Sequence, residues 1–452
     1  MPSPSKQINF LRGWPTPALL PTALLSAACQ RVLVDPDEYT EMQEYGSCHG
    51  LTRLRDGLAH WLGCHYKVNL DPERICITGG ASQNLVCILQ CFSDVNYTRA
   101  VWVVAPCYHL ACGIFEDSGF AGRLHAVPED DEGLDLDAFE RKLSEFERKD
   151  KNERKQEPFK LPAAGRKLYR HLIYTVPTCS NPSGVTMSLE RREGLVKLAR
   201  RHDALIISDD VYDLLQWPTN SPVTSDRPPE MRLPRLCDID RSLGYCDDDP
   251  RGFGHAVSNG SFSKIAGPSV RTGWAEGTPA FIAGIAHAAS TRSGGAPSQL
   301  CAAMLADIIE SGQLQRFLDE RVRPTLQRRH KLMMDVIARH LGPLGVKGRV
   351  ASLQGYEVYG GYFVWLDLNS TFSTKFIADI LRSEENIIIG HGDMFTVHGD
   401  ERSAGFSNSV RLSFTWESEE DIIDGIKRVG QTILRMQQRK EYYLELAARN
   451  VG

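Results

Sequence analysis

Residues 171–212 read HLIYTVPTCSNPSGVTMSLERREGLVKLARRHDALIISDDVY, and the choice of fold turns on them. Two apolar runs, HLIYTVP (171–177) and ALIISDD (204–210), are short, rich in β-branched residues, and closed by turn formers or acids. That is the pattern of buried strands. Between them SLERREGLVKLARRH (188–202) repeats its apolar residues at helical spacing. Strand, helix and strand in that order predict a parallel pair, because the return crossover needs the helix.

Outward from this unit, RICITGG (74–80), AVWVVAP (100–106) and HAVSNGSF (255–262) show the same kind of run. The expected fold is therefore α/β, a mainly parallel sheet with helices on both faces. Ligands of such sheets bind beyond the carboxyl ends of the strands, so the polar residues that close these runs are the candidates for chemistry. Two segments interrupt the pattern. KDKNERKQEPFKLPAAGRK (149–167) is charged and expected to be an exposed loop. The stretch 217–252, rich in Pro, Asp and Arg, is expected to be an irregular excursion. Past residue 310 a long helical pattern, QLQRFLDERVRPTLQRRHKLMMDVIARHL, contains Pro324, which should kink or break it. GGYFVWLDL (360–368) and SVRLSFTW (409–416) read as strands, and SEED (418–421) opens a terminal helix as a capping box. This part has the character of a smaller α+β domain.

Composition narrows the function. The 452 residues, 42% hydrophobic and 24% charged, can bury a large core and suit two domains. A net charge of −5, from 52 basic against 57 acidic residues, argues against a nucleic-acid or anionic-membrane partner. No apolar run reaches membrane-spanning length. The start, MPSPSKQINFLRGWPTPALLP, lacks the pattern of a secretory signal and reads as an extended arm. The 12 cysteines are scattered without zinc-ligand spacing, so no metal site is expected. Free thiols point to a reducing compartment and a cytoplasmic protein.

The run ends carry the chemistry. TGGASQ (78–83) follows a strand and opens a helix whose N–H groups could hold a phosphate. Tyr108, after the next run, could stack on a flat ring or be an ordinary half-buried tyrosine. Asn181, in VPTCSNPSG (176–184), could be a turn residue or an amide donor aimed into a cleft. Asp209 and Asp210 follow ALIIS directly, where acids are costly to bury without partners. Asp209 and Tyr212 are three apart and face one site if a helical turn starts there; an N-cap aspartate is the bland alternative. Last comes SNGSFSKIAGPSVRTGW (258–274). Lys264 as a nucleophile needs its neutral form, which burial and a neighbouring cation, with Arg271 the candidate, would favour. Ser261, Arg271 and the turn at 80–82 could hold a phosphate. One ligand uses all of these parts. Pyridoxal 5′-phosphate requires a lysine, an acid at its ring nitrogen, donors at its 3′-oxygen, and a phosphate cup.

On these residues the chain resembles the class I/II aminotransferases, fold type I pyridoxal-phosphate enzymes, from about residue 8 to 440. It is similar to them at GSFSK (260–264) with Pro268, Arg271, Gly273 and Trp274, and at NPSG (181–184), DDVY (209–212), TGGASQ (78–83), VRLSF (410–414) and EYGSCHGLTRLR (44–55). The resemblance implies that Lys264 forms the aldimine with the cofactor and shuttles the α-proton. It implies that Asp209 pairs with the ring nitrogen, that Tyr212 and Asn181 bond the 3′-oxygen, and that Tyr108 stacks on the ring. Gly80, Ala81, Ser82, Ser261, Ser263 and Arg271 would hold the phosphate, with Tyr45 reaching the phosphate of a partner subunit. Arg411 would clamp the substrate α-carboxylate, with the backbone of Gly13 close to it. It further implies a large domain (44–320), a small domain (1–43 and 321–452), and a homodimer with shared sites.

The implied reaction moves the amino group of an α-amino acid to a 2-oxo acid through a pyridoxamine phosphate intermediate. The same residues would serve a lyase, a synthase or an oxidase, because the cofactor carries the chemistry. A ligand-sensing domain of a regulator is a further alternative, but the chain leaves no room for a DNA-binding module ahead of residue 8. His391, in GHGDMF (390–395), stands where the family often has a proline, and is read here as a loop histidine.

Overall fold

The computed structural model describes residues 6–150, 157–161, 165–218, 232–292, 298–350, 352–353 and 356–449. All five apolar runs become strands of one eight-stranded sheet. Its strands are β1 (Ile75–Thr78), β2 (Ala100–Ala105), β3 (Leu124–Asp130), β4 (Gly133–Leu134), β5 (His171–Thr175), β6 (Ala204–Asp209), β7 (Ala256–Ser261) and β8 (Gly273–Glu276). They lie in the order β1-β8-β7-β6-β5-β2-β3-β4. The stretch from β7 to β3 is parallel throughout. Strand β8 runs antiparallel to both β1 and β7, and β4 antiparallel to β3.

Both faces are covered, and the side-chain alternation shows it. Ala100, Trp102 and Val104 of β2 pack into one apolar cluster with Leu195 and Leu198, from helix Leu189–Arg201. Val101, Val103 and Ala105 pack into the other, with Leu85 and Ile88 of helix Ala81–Phe92. The period of two thus buries every residue of a strand whose sequence is apolar without a break. Ser188 closes the start of helix Leu189–Arg201 by accepting from the N–H of Arg191 at 3.3 Å. From β2 the chain adds β3 on one side, then returns to place β5, β6 and β7 on the other. The reversal at β2 and β5 opens a crevice at their carboxyl ends.

The C-terminal part forms a four-stranded antiparallel sheet, in the order Lys347–Gly348, Phe363–Asp367, Ser409–Ser413, Gly390–His391. The N-terminal arm joins it, with Ile8–Asn9 pairing parallel to Ile387–Ile388. The terminal helix Glu419–Gln438 is capped by Ser418, which accepts from the N–H of Asp421 at 3.1 Å. Pro324 does not break its helix. A π-helical turn, Leu318–Val322, precedes Arg323–His340 and accommodates the missing N–H.

The excursion at 217–252 is more regular than expected. Gln216–Pro218 pairs with Tyr356–Gly360, and Leu236–Ser242 is a helix with a buried face; 219–231 lie outside the described residues. Of the segment 149–167, residues 149–150 end helix Leu136–Asp150, while Phe159 and Leu161 are exposed; 151–156 and 162–164 lie outside the described residues. All twelve cysteines are free and most are buried as small apolar residues. No helix among the described residues is long and apolar enough to cross a membrane.

Candidate active site

The five run ends meet. A cavity of about 220 Å³ is lined by Ala81 and Ser82 after β1, Tyr108 after β2, Asn181 after β5, Asp209 at the end of β6 and Tyr212 after it, and Ser261 at the end of β7 with Ser263, Lys264 and Arg271 after it. Arg271 arrives by a route the runs did not reveal. Because β8 is antiparallel, its first residue sits beside the last residues of β1 and β7, with Gly273 opposite Thr78 and Ser261.

Lys264 closes a short helical turn, Phe262–Lys264, and its Nζ donates to the carbonyl of Gly13 at 2.9 Å. Its amine lies over the rings of Tyr362 and Tyr212, at 5.2 and 5.7 Å. Burial first, and then the Arg411 guanidinium, push the amine down to about 8, while Asp209 pulls it upward. The cation expected to do this was Arg271. It is not among the groups acting on the lysine, because its own turn carries it elsewhere: Nη1 donates to Pro268 O at 2.7 Å and Nη2 to Gly79 O at 3.0 Å.

Asp209 ends β6, and strand alternation decides its direction. Leu205 and Ile207 face the cluster around helix Ala81–Phe92, so Asp209 faces the same side and lines the cavity. Asp210 turns away, accepting from Ser208 at 2.5 Å and from Ser258. Asp209 Oδ2 accepts from the Tyr174 hydroxyl at 2.6 Å, and its buried Oδ1 has no partner among the described residues. Burial pushes this carboxyl up to about 6, opposed by the Tyr174 bond and then by Lys264.

A cup lies at the far end of the cavity. Gly80, at φ +94°, precedes helix Ala81–Phe92, so the first N–H groups of that helix, without intrahelical acceptors, point into it. A Cβ on Gly80 would stand 2.6 Å from Arg271 Nη2. Ser261 Oγ donates to Ser263 Oγ at 3.0 Å and accepts from the Ser263 N–H at 3.2 Å. Behind the cup, Asn84 donates to Asn259 Oδ1 at 2.8 Å, and Asn259 donates to Ala81 O at 3.0 Å.

A second cavity of about 420 Å³ adjoins the first and shares Trp14, Tyr108, Asn181 and Lys264 with it. Arg411, on strand Ser409–Ser413, is buried there. Its Nη1 donates to Asn181 Oδ1 and its Nη2 to Leu11 O, both at 2.7 Å. Its Nε has no partner among the described residues. Burial pushes this guanidinium down to about 10. Gly13 lies against Phe363, and a Cβ at that position would collide with the ring.

The structure therefore brings Lys264, Asp209, Tyr212, Tyr108, Asn181, Ala81, Ser82, Ser261, Ser263 and Arg271 to one cavity, with Gly80 at its edge and Arg411 and Gly13 in the next. Tyr45 stands apart, 88% exposed. His391 lines neither cavity; it is not the loop histidine expected but ends the edge strand Gly390–His391, paired with Val410, and the charges nearest it are Asp393, Lys375 and Asp379. The sequence reading missed Tyr174, Asn259, Arg12 and Trp14. Only Tyr174 carried a signal: a hydroxyl inside an apolar run has to find a partner.

The model of the family "Aminotransferase class I and II" matches residues 20–428. The chain is 32% identical to an uncharacterized protein of Saccharomyces cerevisiae, over 94% of this chain and 96% of the other. It is 28% identical to aromatic-amino-acid aminotransferase 1 of Thermococcus litoralis, over 95% of this chain and 88% of that one. Its fold matches the crystal structure of LysN, the α-aminoadipate aminotransferase of Thermus thermophilus complexed with N-(5′-phosphopyridoxyl)-L-leucine, with a TM-score of 0.73. That match has 25% identity and covers 96% of this chain and 93% of the other.

Proposed function

The chain belongs to the class I and II aminotransferases, pyridoxal-phosphate enzymes that act on amino acids and 2-oxo acids, and we propose that Lys264, Asp209 and Tyr212 are its catalytic residues. The observation that carries the assignment is the buried, unpartnered Oδ1 of Asp209 on the wall of the cavity that holds Lys264. A buried carboxylate oxygen without a donor is costly. A protonated ring nitrogen would satisfy it, so the donor set fits the cofactor. The cup of Gly80, Ala81, Ser82, Ser261, Ser263 and Arg271 would take the phosphate, since among the described residues Arg271 bonds only carbonyl and hydroxyl oxygens. Tyr108 would stack on the ring.

When bound, pyridoxal phosphate supplies the electron sink that lets an α-proton leave an amino acid. The protein does the rest. Asp209 keeps a proton on the ring nitrogen by facing it with a charge in a dry site. Asn181 has committed its Oδ1 to Arg411, which leaves its Nδ2 to donate to the 3′-oxygen beside Tyr212. Arg411 orients the α-carboxylate with a planar fork that lysine would not reproduce. Gly13 brings its carbonyl to Lys264, within the wall of the same cavity. With its amine held near 8, Lys264 can both accept the α-proton and give it back around neutral pH.

The same reading divides the chain into a large domain, 44–320, and a small one from 1–43 and 321–452. It pairs two chains into a homodimer in which the exposed Tyr45 reaches the partner's phosphate cup, and it places the protein in the cytoplasm.

Borohydride reduction of the loaded enzyme followed by peptide mapping should put the pyridoxyl label on Lys264; a label on another lysine refutes the assignment. With amino donor alone, one equivalent of 2-oxo acid per site should form and turnover should stop until an oxo acid is added. Continuous product without an acceptor would point to a lyase, synthase or oxidase.

A further inference from the structure

The substrate-side cavity holds more positive charge than one α-carboxylate needs. Arg12, Arg411 and Lys264 line it, and no Asp or Glu does among the described residues. Lys264 and Arg411 have roles in the reading above. Arg12 has none, and among the described residues no acid lies within ion-pair distance of it.

Arg12 is nevertheless held in place. Its guanidinium lies 4.9 Å from the ring centre of Trp14 and 4.8 Å from that of Trp416, and those two rings meet edge to face at 5.8 Å. Stacking against aromatic rings fixes the plane of a guanidinium and leaves its N–H edge free for an acceptor. The backbone around it is fixed as well. Asn9 Oδ1 accepts from the N–H groups of Leu11 and Arg12, both at 3.1 Å. The carbonyl before Arg12 accepts from Arg411, and the carbonyl after it from Lys264. Thr415 then bonds Trp14 O at 2.8 Å. Arg12 is thus mounted between the two residues that would meet the α-carbon and the α-carboxylate.

We infer that Arg12 recognises a second, distal carboxylate, so that the enzyme favours acidic α-amino acids and dicarboxylic 2-oxo acids. This rests on the assignment of Arg411 to the α-carboxylate. With that group on Arg411, a side-chain carboxylate entering the same cavity meets a pre-oriented fork that no acid among the described residues occupies. A neutral side chain would leave the Arg12 edge to water.

The test uses the cofactor-loaded enzyme, wild type and Arg12→Gln, with two readouts. The first is the ratio of kcat/KM for glutamate to that for alanine; losing a hydrogen bond to a charged group should lower it about 10- to 100-fold. The second is equilibrium binding of unreactive acids by calorimetry. Glutarate should bind the wild type at least about 10-fold tighter than butyrate, and Arg12→Gln should erase the difference. Arg12→Lys should restore only part, because an ammonium keeps the charge without the planar fork. Equal binding of glutarate and butyrate by the wild type, or an unchanged kcat/KM ratio in Arg12→Gln, would overturn the inference while leaving the aminotransferase site intact. A wild type inactive toward every α-amino acid would overturn that site assignment and this inference with it.

Discussion

Replacing Tyr174 by Phe should move the titration of Asp209 across neutrality. The hydroxyl donates to Asp209 Oδ2 at 2.6 Å in a fully buried setting, and the acid is already pushed up to about 6 by burial. A hydrogen bond to a charged group contributes about 1.5–3 kcal/mol. At about 1.4 kcal/mol per pH unit, losing it raises the midpoint by about 1–2 units, to about 7–8. At pH 7 the ionised fraction then falls from about nine tenths to between a half and a tenth. The ring itself stays packed, edge-on to Phe115 with centres 5.9 Å apart, so the change isolates the hydroxyl. Carbon-13 NMR of labelled aspartate in the cofactor-free protein reads the midpoint directly. The stability sign follows from the same group. Its folded value lies above the ordinary 3.8, so its contribution to stability is full below that value and is lost as pH rises through about 6. A Tyr174→Phe midpoint within about 0.3 of a pH unit of the wild type would refute the idea that this bond holds Asp209 ionised.

Three further outcomes are expected. Capture of pyridoxal phosphate by the cofactor-free protein needs the neutral amine of Lys264, so its rate should rise with pH to half-maximum near 8; Arg411→Met should move that midpoint upward, and a downward move would contradict the electrostatics. Gly80→Val forces a Cβ against Arg271 at a φ of +94°, so equilibrium dialysis should show cofactor affinity down by about 10-fold or more, as for about 1–3 kcal/mol of strain; unchanged affinity would remove this corner from the phosphate cup. Arg235→Met strips the buried Glu276 and Asp238 of a shared partner and should cost about 3–5 kcal/mol in urea unfolding; a cost below about 1 kcal/mol would show that this charge cluster does not hold the fold together.

How far the molecule was legible in its sequence depends on what each residue's partner is. The five strands were legible because burial on both faces makes them continuous apolar runs, and the cavity followed because a parallel sheet delivers all their ends to one edge. Strand β8 was not, since GWAE contains no such run. Its Glu276 is buried only because Arg235, just ahead of the helix inside the supposedly irregular excursion, and Arg74 meet it there. The cation next to Lys264 was misjudged for a related reason. Arg271 is close in sequence but turns back, at φ +43°, toward the carbonyls of Pro268 and Gly79. Arg411 comes from an antiparallel strand of the other sheet, and nothing local to Lys264 announces it.

Tyr174 and Arg12 mark the limit more sharply. Each acts through register or through mounting, not through a motif. Tyr174 lies opposite Ile207 in the β5–β6 pairing, so its hydroxyl comes within reach of a carboxylate two residues further along the neighbouring strand. Arg12 sits in an arm with no periodicity of its own, and its direction is set by bonds from Arg411, Lys264 and Thr415 to the carbonyls around it. A reading that stops at the ends of apolar runs finds the groups that would touch the cofactor, because each run end is itself a position in the sheet. It misses the groups that tune or select, whose positions exist only once two distant segments are paired. Groups that do not touch the cofactor are the ones left to choose the substrate, so the substrate of this enzyme should be sought at Arg12 and its two tryptophans before Lys264.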